Sequence, residues 1–346
     1  MARVGIESIG MFTSVGTNTA ETVGSLMTTL QRFEELQLLS KRGHPVEMVH
    51  FDEEPVVGAP SPIPMNVAYG EERLVKMASF ALQDCLENYE GRRIPLLLCL
   101  PEAQHLQINP RRLIDRIAAV SGAPIDVNMS QGIAKGRAAV VPALHQAVQL
   151  FASGRIQECL VAGVDSLLHQ SVLSPLLMAG RIYHPLQQMA LIPGEGAAAV
   201  RLTANPSTDS KALLRGVGAA MERPIDDNAA PVQGKGLTQA MREALQAAGA
   251  NLPQVSDLVR DVAQEKRWTK ELGLALARVA KGDATSIHRS NVSLCLGDAG
   301  ASMGVLMLGY LAFGFSQALI AGPGAMAVHF SDGGLRGVTV LSGTRS

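Results

Sequence analysis

Apolar and polar positions along the chain fall into two recurring patterns. The opening "RVGIESIG" alternates like a half-buried strand. "RIPLLLCLP" (93 to 101), "ECLVAGV" (158 to 164) and "AMAVHF" (325 to 330) are short apolar runs that read as buried strands. Residues 136 to 166, "GRAAVVPALHQAVQLFASGRIQECLVAGVDS", predict a helix of small and apolar residues, a stop at Ser153-Gly154, and then a strand. The stretch 290 to 315, "SNVSLCLGDAGASMGVLMLGYLAFGF", begins polar and turns on Gly297-Asp298-Ala299-Gly300-Ala301. From Ala299 it continues as a helix apolar on every side to about Phe315, with "ALIAG" (318 to 322) expected as the strand that follows.

The same plan therefore occurs twice. "RVGIESIG" has a counterpart in "ALLRGVGAA" (212 to 220), beyond the linker "TANPSTDSK" (203 to 211), and "RIPLLLCLP" has a weaker one in "QVSDLVRDV" (254 to 262). Two halves follow, residues 1 to 205 and 206 to 346. Strands buried on both faces and alternating with helices imply mixed, mostly parallel sheets. Two helices that are apolar all round must each lie between two sheets. The expected fold is α/β, a five-layer α-β-α-β-α sandwich.

A membrane span is the competing reading of 290 to 315, since roughly 20 apolar residues suffice to cross a bilayer. Gly304, Gly309 and Gly314 interrupt it, Gly322-Pro323-Gly324 breaks the chain soon after, and there is no Lys/Arg cluster just outside the run. With 47% hydrophobic and 18% charged residues in 346, the composition is that of a chain burying a sizeable core. A formal net charge of -1 gives no electrostatic case for nucleic acid or an anionic membrane. Cys85, Cys99, Cys159 and Cys295 lack CxxC spacing and read as reduced core thiols, with no metal or cofactor motif. The N-terminus shows no long apolar run or cleavage site, so a cytoplasmic protein is expected.

Four stretches, in order along nearly the whole chain, resemble the β-ketoacyl-acyl-carrier-protein synthase branch of the thiolase fold. "VGIESIGMFTSVGTNTAETVGSLMTTL" is similar to that family's first strand, turn and helix, and "ALHQAVQLFASGRIQECLVAGVDS" to its nucleophile-bearing helix and the following strand. "PGEGAAAVRL" resembles its GEGA strand, and "SNVSLCLGDAGASMG" its SNIGHTxGAAG segment. The resemblance implies a Cys nucleophile at the first buried helix and two His that stabilise an enolate. It fails at all three. Arg137, after Gly136, stands at the nucleophile position, and no Cys lies between Cys99 and Cys159. The first His belongs about where "RDVAQEKR" stands, yet no His lies between His184 and His288. Asp298, after Gly297, replaces the second, and Ser293 replaces the Lys five residues before it. An ionised aspartate donates nothing and repels an enolate. Gln188-Met189-Ala190 stands for the family's Arg-Asp-Gly, and "SDGGLRGVTVL" (331 to 341) for its Gly-Phe-Gly-Gly loop without the Phe.

The GDAGAS pattern further resembles thiolase-like proteins associated with type VI secretion effectors, which implies an accessory role in effector loading with an effector or adaptor as partner. The wider family implies a homodimer and contact with an acyl carrier protein or coenzyme A thioester. Other nucleophiles are weak. Ser130 with His145 and Asp298 could be drawn as a triad, but His145 lies roughly 10 Å or more along the helix from its mouth. Cys295 in "SLCLG" reads as a structural thiol. Lys135 and Arg137 at a helix start are disfavoured by its dipole, so Arg137 either binds an anion or pairs with Asp298. Trp268 anchors packing or a partner. Two function classes remain: a catalytically inactive scaffold or adaptor, and an acyltransferase with a non-standard catalytic set.

Overall fold

The computed structural model describes residues 4–39, 45–48, 50–51, 54–64, 70–103, 108–183, 189–223, 231–261, 265–280 and 287–344. Ten strands form one hydrogen-bonded sheet system: β1 (Val4–Thr13), β2 (Leu96–Leu100), β3 (Gln131–Ala134), β4 (Glu158–Ser166), β5 (Glu195–Thr203), β6 (Ala212–Met221), β7 (Val255–Arg260), β8 (His288–Asn291), β9 (Gly324–Phe330) and β10 (Leu335–Ser342). Their order is β8-β7-β9-β10-β6-β1-β5-β4-β2-β3. Outward from the centre, β1-β5-β4-β2-β3 and β6-β10-β9-β7-β8 have the same connectivity. The pairing sense also repeats. β2 is parallel to β3 and β4, while β5 runs antiparallel to β4 and β1. In the second set β7 is parallel to β8 and β9, and β10 is antiparallel to β9 and β6. The sets join at β1 and β6, where Val4, Gly5 and Ile6 pair with Leu214, Leu213 and Ala212.

The helices repeat as well. α1 (Thr19–Met27) follows β1, and α2 (Glu71–Cys85) and α3 (Pro110–Ser121) flank β2. α4 (Val140–Ala152) precedes β4, and α5 (Gln170–Met178) follows it. In the second set α6 (Lys235–Ala248) and α7 (Lys266–Ala280) flank β7. A single turn, α8 (Ser293–Leu296), then leads to α9 (Met303–Ser316), and each buried helix α4 and α9 is entered through a short 3-10 turn.

The side-chain period of two assigns the layers. On β2, Leu97 and Cys99 join the central core around α4 and α9, while Leu96, Leu98 and Leu100 join the outer core under α2 and α3. On β9, Ala325 and Ala327 face the centre, and Met326, Val328 and Phe330 face α6 and α7. Helix pair, sheet, central helices, sheet, helix pair is the five-layer sandwich. It is the mixed α/β thiolase fold.

One expectation is corrected and another holds. "ALIAG" is not a strand: the chain turns there, and the strand is β9, because Gly324 pairs with Val255 only after the Gly-Pro-Gly break. The apolar run is a 14-residue helix inside the sandwich, and among the described residues no helix is long and apolar enough to cross a membrane. Trp268 is 1% exposed, packs with its ring tilted 54° against Phe330 at a centroid distance of 5.3 Å, lies under the Arg336 guanidinium and donates to Glu265 Oε2 at 2.7 Å. It anchors packing.

Candidate functional site

The parallel strands β2, β4, β7 and β9 end on one cavity of about 910 Å³, the usual place for a site in such sheets. Glu102 follows β2, Asp165 and Ser166 end β4, Glu265 follows β7, and Asp332 follows β9. Gly136 and Arg137, at the mouth of α4, also line it.

Arg137 is tied down from two sides. Its Nε donates to Asp298 Oδ1 and Oδ2 at 3.0 and 2.9 Å, and an Nη closes a bidentate pair with Asp298. The other Nη donates to Asp332 Oδ1 at 3.1 Å. Arg181 bridges onward, from Asp332 Oδ2 at 2.8 Å to Glu265 Oε1 at 2.8 Å, which in turn meets Trp268. Burial opposes the charge on Arg137, but Asp298 and Asp332 outweigh it and hold the guanidinium protonated. Burial would likewise raise Asp332, yet Arg137 and Arg181 keep it well below the usual carboxylate range.

The start of α9 explains why aspartates collect here. Asp298 Oδ1 accepts the Gly300 N–H at 2.9 Å, and Asp165 Oδ2 accepts the Ala301 N–H at 2.9 Å. The unpaired N–H groups and positive dipole end of the helix favour both anions. Gly300 has φ +54°, and a Cβ there would stand 2.0 Å from Asp165 Oδ2, so no other residue fits. Gly297, at φ +63°, turns the chain so that Asp298 N–H reaches Ile192 O at 2.7 Å. At the mouth of α4 the dipole disfavours Arg137, and the two carboxylates offset that. Ser331 Oγ accepts the Ala138 N–H at 3.0 Å and caps the turn.

The other sequence candidates lie apart from the cavity. Ser130 Oγ accepts from Leu96 N–H at 2.8 Å and donates to Asp126 O at 2.7 Å, so its hydroxyl holds β2 and β3 rather than attacking anything. Cys295 is buried outside the cavity lining, and burial raises its thiol, the wrong direction for a nucleophile. Ser293 donates to Asn291 Oδ1 at 2.7 Å. His145 is half-buried on α4, away from both Ser130's partners and Asp298's. Lys135 is exposed and contributes its carbonyl, not its ammonium, to Ser331. In the "RDVAQEKR" stretch, 262 to 264 lie outside the described residues, as do His184 and Gln188.

Sequence reasoning missed four groups. Asp332 and Arg181 extend the ion pair; Asp332 lies in the 331 to 341 stretch without having been singled out, and Arg181 lies in none of the matched stretches. Asp261, at the end of β7, is fully buried with neither oxygen hydrogen-bonded among the described residues; burial pushes it up to about 8 against the pull of Arg137. It occupies the stretch in which a catalytic histidine had been sought. Asp165 is pushed up to about 7 by burial, only partly offset by the N–H groups of Ala301 and Ser166. A buried Asp closing a strand was the available signal for both.

No family model matches the chain, and no curated protein does. Solved structures do. An ishigamide ketosynthase/chain length factor aligns at 15% identity and TM-score 0.76 over 99% of each chain. A β-ketoacyl synthase from Burkholderia phymatum STM815 aligns at 14% and 0.75 over the full length of both. A ketosynthase solved with its chain length factor, from Xenorhabdus doucetiae, aligns at 13% and 0.70 over 98% of this chain and 97% of the other. The chain thus has the thiolase fold that these ketosynthase structures share.

Proposed function

We propose that this chain is a catalytically degenerate ketosynthase-like protein that works as a scaffold or adaptor. One observation carries the reading: the place of the nucleophile is held by Arg137, whose guanidinium is bound by Asp298 and Asp332. No acyl thioester can be attacked from there, because a buried, paired guanidinium is neither nucleophile nor base. The partner is a second copy or another protein. β3 is the outer strand of its sheet, half exposed, and an open edge is a template for pairing. A homodimer through that edge is the expected assembly, and a type VI secretion effector or its adaptor is the client proposed from the GDAGAS pattern. Incubation with acyl coenzyme A and with acyl-acyl-carrier protein should leave the intact mass unchanged; a stoichiometric acyl adduct overturns the reading.

The acyltransferase reading survives on a different pair from the one the sequence offered. Ser171 Oγ lies 2.7 Å from His169 Nδ1, both line the cavity, and burial lowers His169 so that it is neutral and able to accept a proton at pH 7. The same His169 nitrogen also accepts the Ser171 N–H at 3.3 Å as the cap of α5, which accounts for the geometry without catalysis. An adduct that disappears in Ser171→Ala would establish the enzyme.

A further inference from the structure

The buried carboxylates of this chain come in two kinds. Asp298, Glu195 and Glu271 each hold a guanidinium, from Arg137, Arg73 and Arg336 respectively, as does the partly buried Asp332, from Arg137 and Arg181. Asp165 and Asp261 do not, and of these two it is Asp165 that lines the 910 Å³ cavity; it is 5% exposed and has no cation within ion-pair distance among the described residues. Its two oxygens accept one backbone N–H each, from Ser166 at 2.8 Å and Ala301 at 2.9 Å. A carboxylate accepts about four hydrogen bonds, so acceptor capacity remains. The nearby charges do not neutralise it, since Asp298 disfavours its ionisation more than Arg137 favours it.

The cavity around it is sided. Val172, Pro175, Leu176 and Ala179 line one wall at the spacing i, i+3, i+4, i+7, a single apolar face of α5 turned to the space. Leu74 of α2 adds to the apolar lining. Of the described lining residues, five are carboxylates and three are arginines. Two of those arginines, Arg137 and Arg181, are already committed to Asp298, Asp332 and Glu265. An anionic ligand would meet two committed guanidinium groups and the Asp165 carboxylate in the cavity wall.

We propose that the cavity is a binding site for a ligand carrying a primary ammonium on an apolar stem, with Asp165 as counterion and the α5 face as the bed for the stem. Volume supports a ligand rather than packing space, since sites for small molecules span roughly 300–1,000 Å³. An ammonium offers three donors to the free lone pairs of Asp165 and supplies the kind of positive charge that Glu195, Glu271 and Asp298 each have. The chemistry suits a free amphiphilic amine or a lysine side chain presented by a partner. It does not depend on whether acyl transfer has been lost.

The test is calorimetric titration of the full chain with hexylammonium, hexanol, hexanoate and a capped lysine tripeptide. Hexylammonium should bind at least tenfold more tightly than hexanol or hexanoate. Asp165→Asn should weaken it by tenfold or more. If that variant does not fold, Leu176→Ala, on the surface helix and apart from the hydrogen bonds of Asp165, should weaken hexylammonium several-fold. Binding of hexylammonium but not the peptide assigns the site to a small molecule; binding of both assigns it to a lysine of a partner. Equal or tighter binding of hexanoate, no binding of either cation, or affinities unchanged in Asp165→Asn or Leu176→Ala overturns the proposal.

Discussion

Arg137 and Asp298 are each costly to bury alone and tolerable together. Asp298→Ala leaves the guanidinium with only Asp332, itself shared with Arg181, and should cost on the order of 3–5 kcal/mol. Arg137→Met combined with Asp298→Ala should recover much of that loss in a double-mutant cycle on unfolding free energy. A coupling near zero would show that the pair does not act as one unit. Asp261 makes a separate prediction. With its carboxyl raised to about 8, the folded chain keeps a proton that the unfolded chain loses near pH 4. Its contribution to stability is therefore full below about pH 4 and falls as pH rises toward 8. Asp261→Asn, neutral throughout, should gain most over the parent at pH 8.5 and flatten the decline between pH 5 and 8.5; parallel denaturation curves at both pH values would count against it.

At the scale of elements, the two central helices touch more closely than side chains allow. A Cβ on Gly304 of α9 would lie 2.8 Å from the Arg137 carbonyl and 2.7 Å from Val140 Cγ1. In an open helix Gly→Ala gains up to about 1 kcal/mol. Here the backbone carbonyl cannot yield, so Gly304→Ala should instead destabilise by about 1–3 kcal/mol and disturb the Arg137 turn. Gly273 of α7 is the internal control: a Cβ there meets nothing within 4 Å, and Gly273→Ala should stabilise by about 0.4–1 kcal/mol. Thermal unfolding of both variants distinguishes packing from propensity, and same-sign shifts would contradict the close approach.

For the whole molecule, β3 is one edge of the ten-stranded sheet and leads directly into the turn bearing Gly136 and Arg137. Pairing two copies through β3 would extend the sheet and cover this edge. Sedimentation should show a dimer at micromolar concentration, and Ile133→Pro, which removes a ladder donor in that strand, should shift it to monomer. A parent chain that sediments as a monomer at that concentration excludes this assembly.

The sequence by itself determined the layers. Uninterrupted apolar runs at β2, β4 and β9, a helix apolar on every side in α9, and the repeated order of elements leave few ways to bury so much apolar surface, and the five-layer sandwich is the one they share. It also showed where the resemblance stops, because the absence of Cys and His from whole windows survives any local misalignment. The tertiary structure decided what surrounds Arg137. Asp165, Asp261, Arg181 and Asp332 belong to four separate segments that only the closed sandwich brings toward Arg137. The strand after α9 was misplaced for a related reason: "ALIAG" and "AMAVHF" are equally apolar, and the choice between them rests on pairing of β9 with β7 and β10, partners remote in sequence. Ser130 and Cys295 were ruled out by position, since their types are right for chemistry and only the fold shows that neither reaches the cavity. Periodicity encodes which face of an element is buried; the neighbours that give a buried charge its meaning come from chain segments far away, and no local pattern records them.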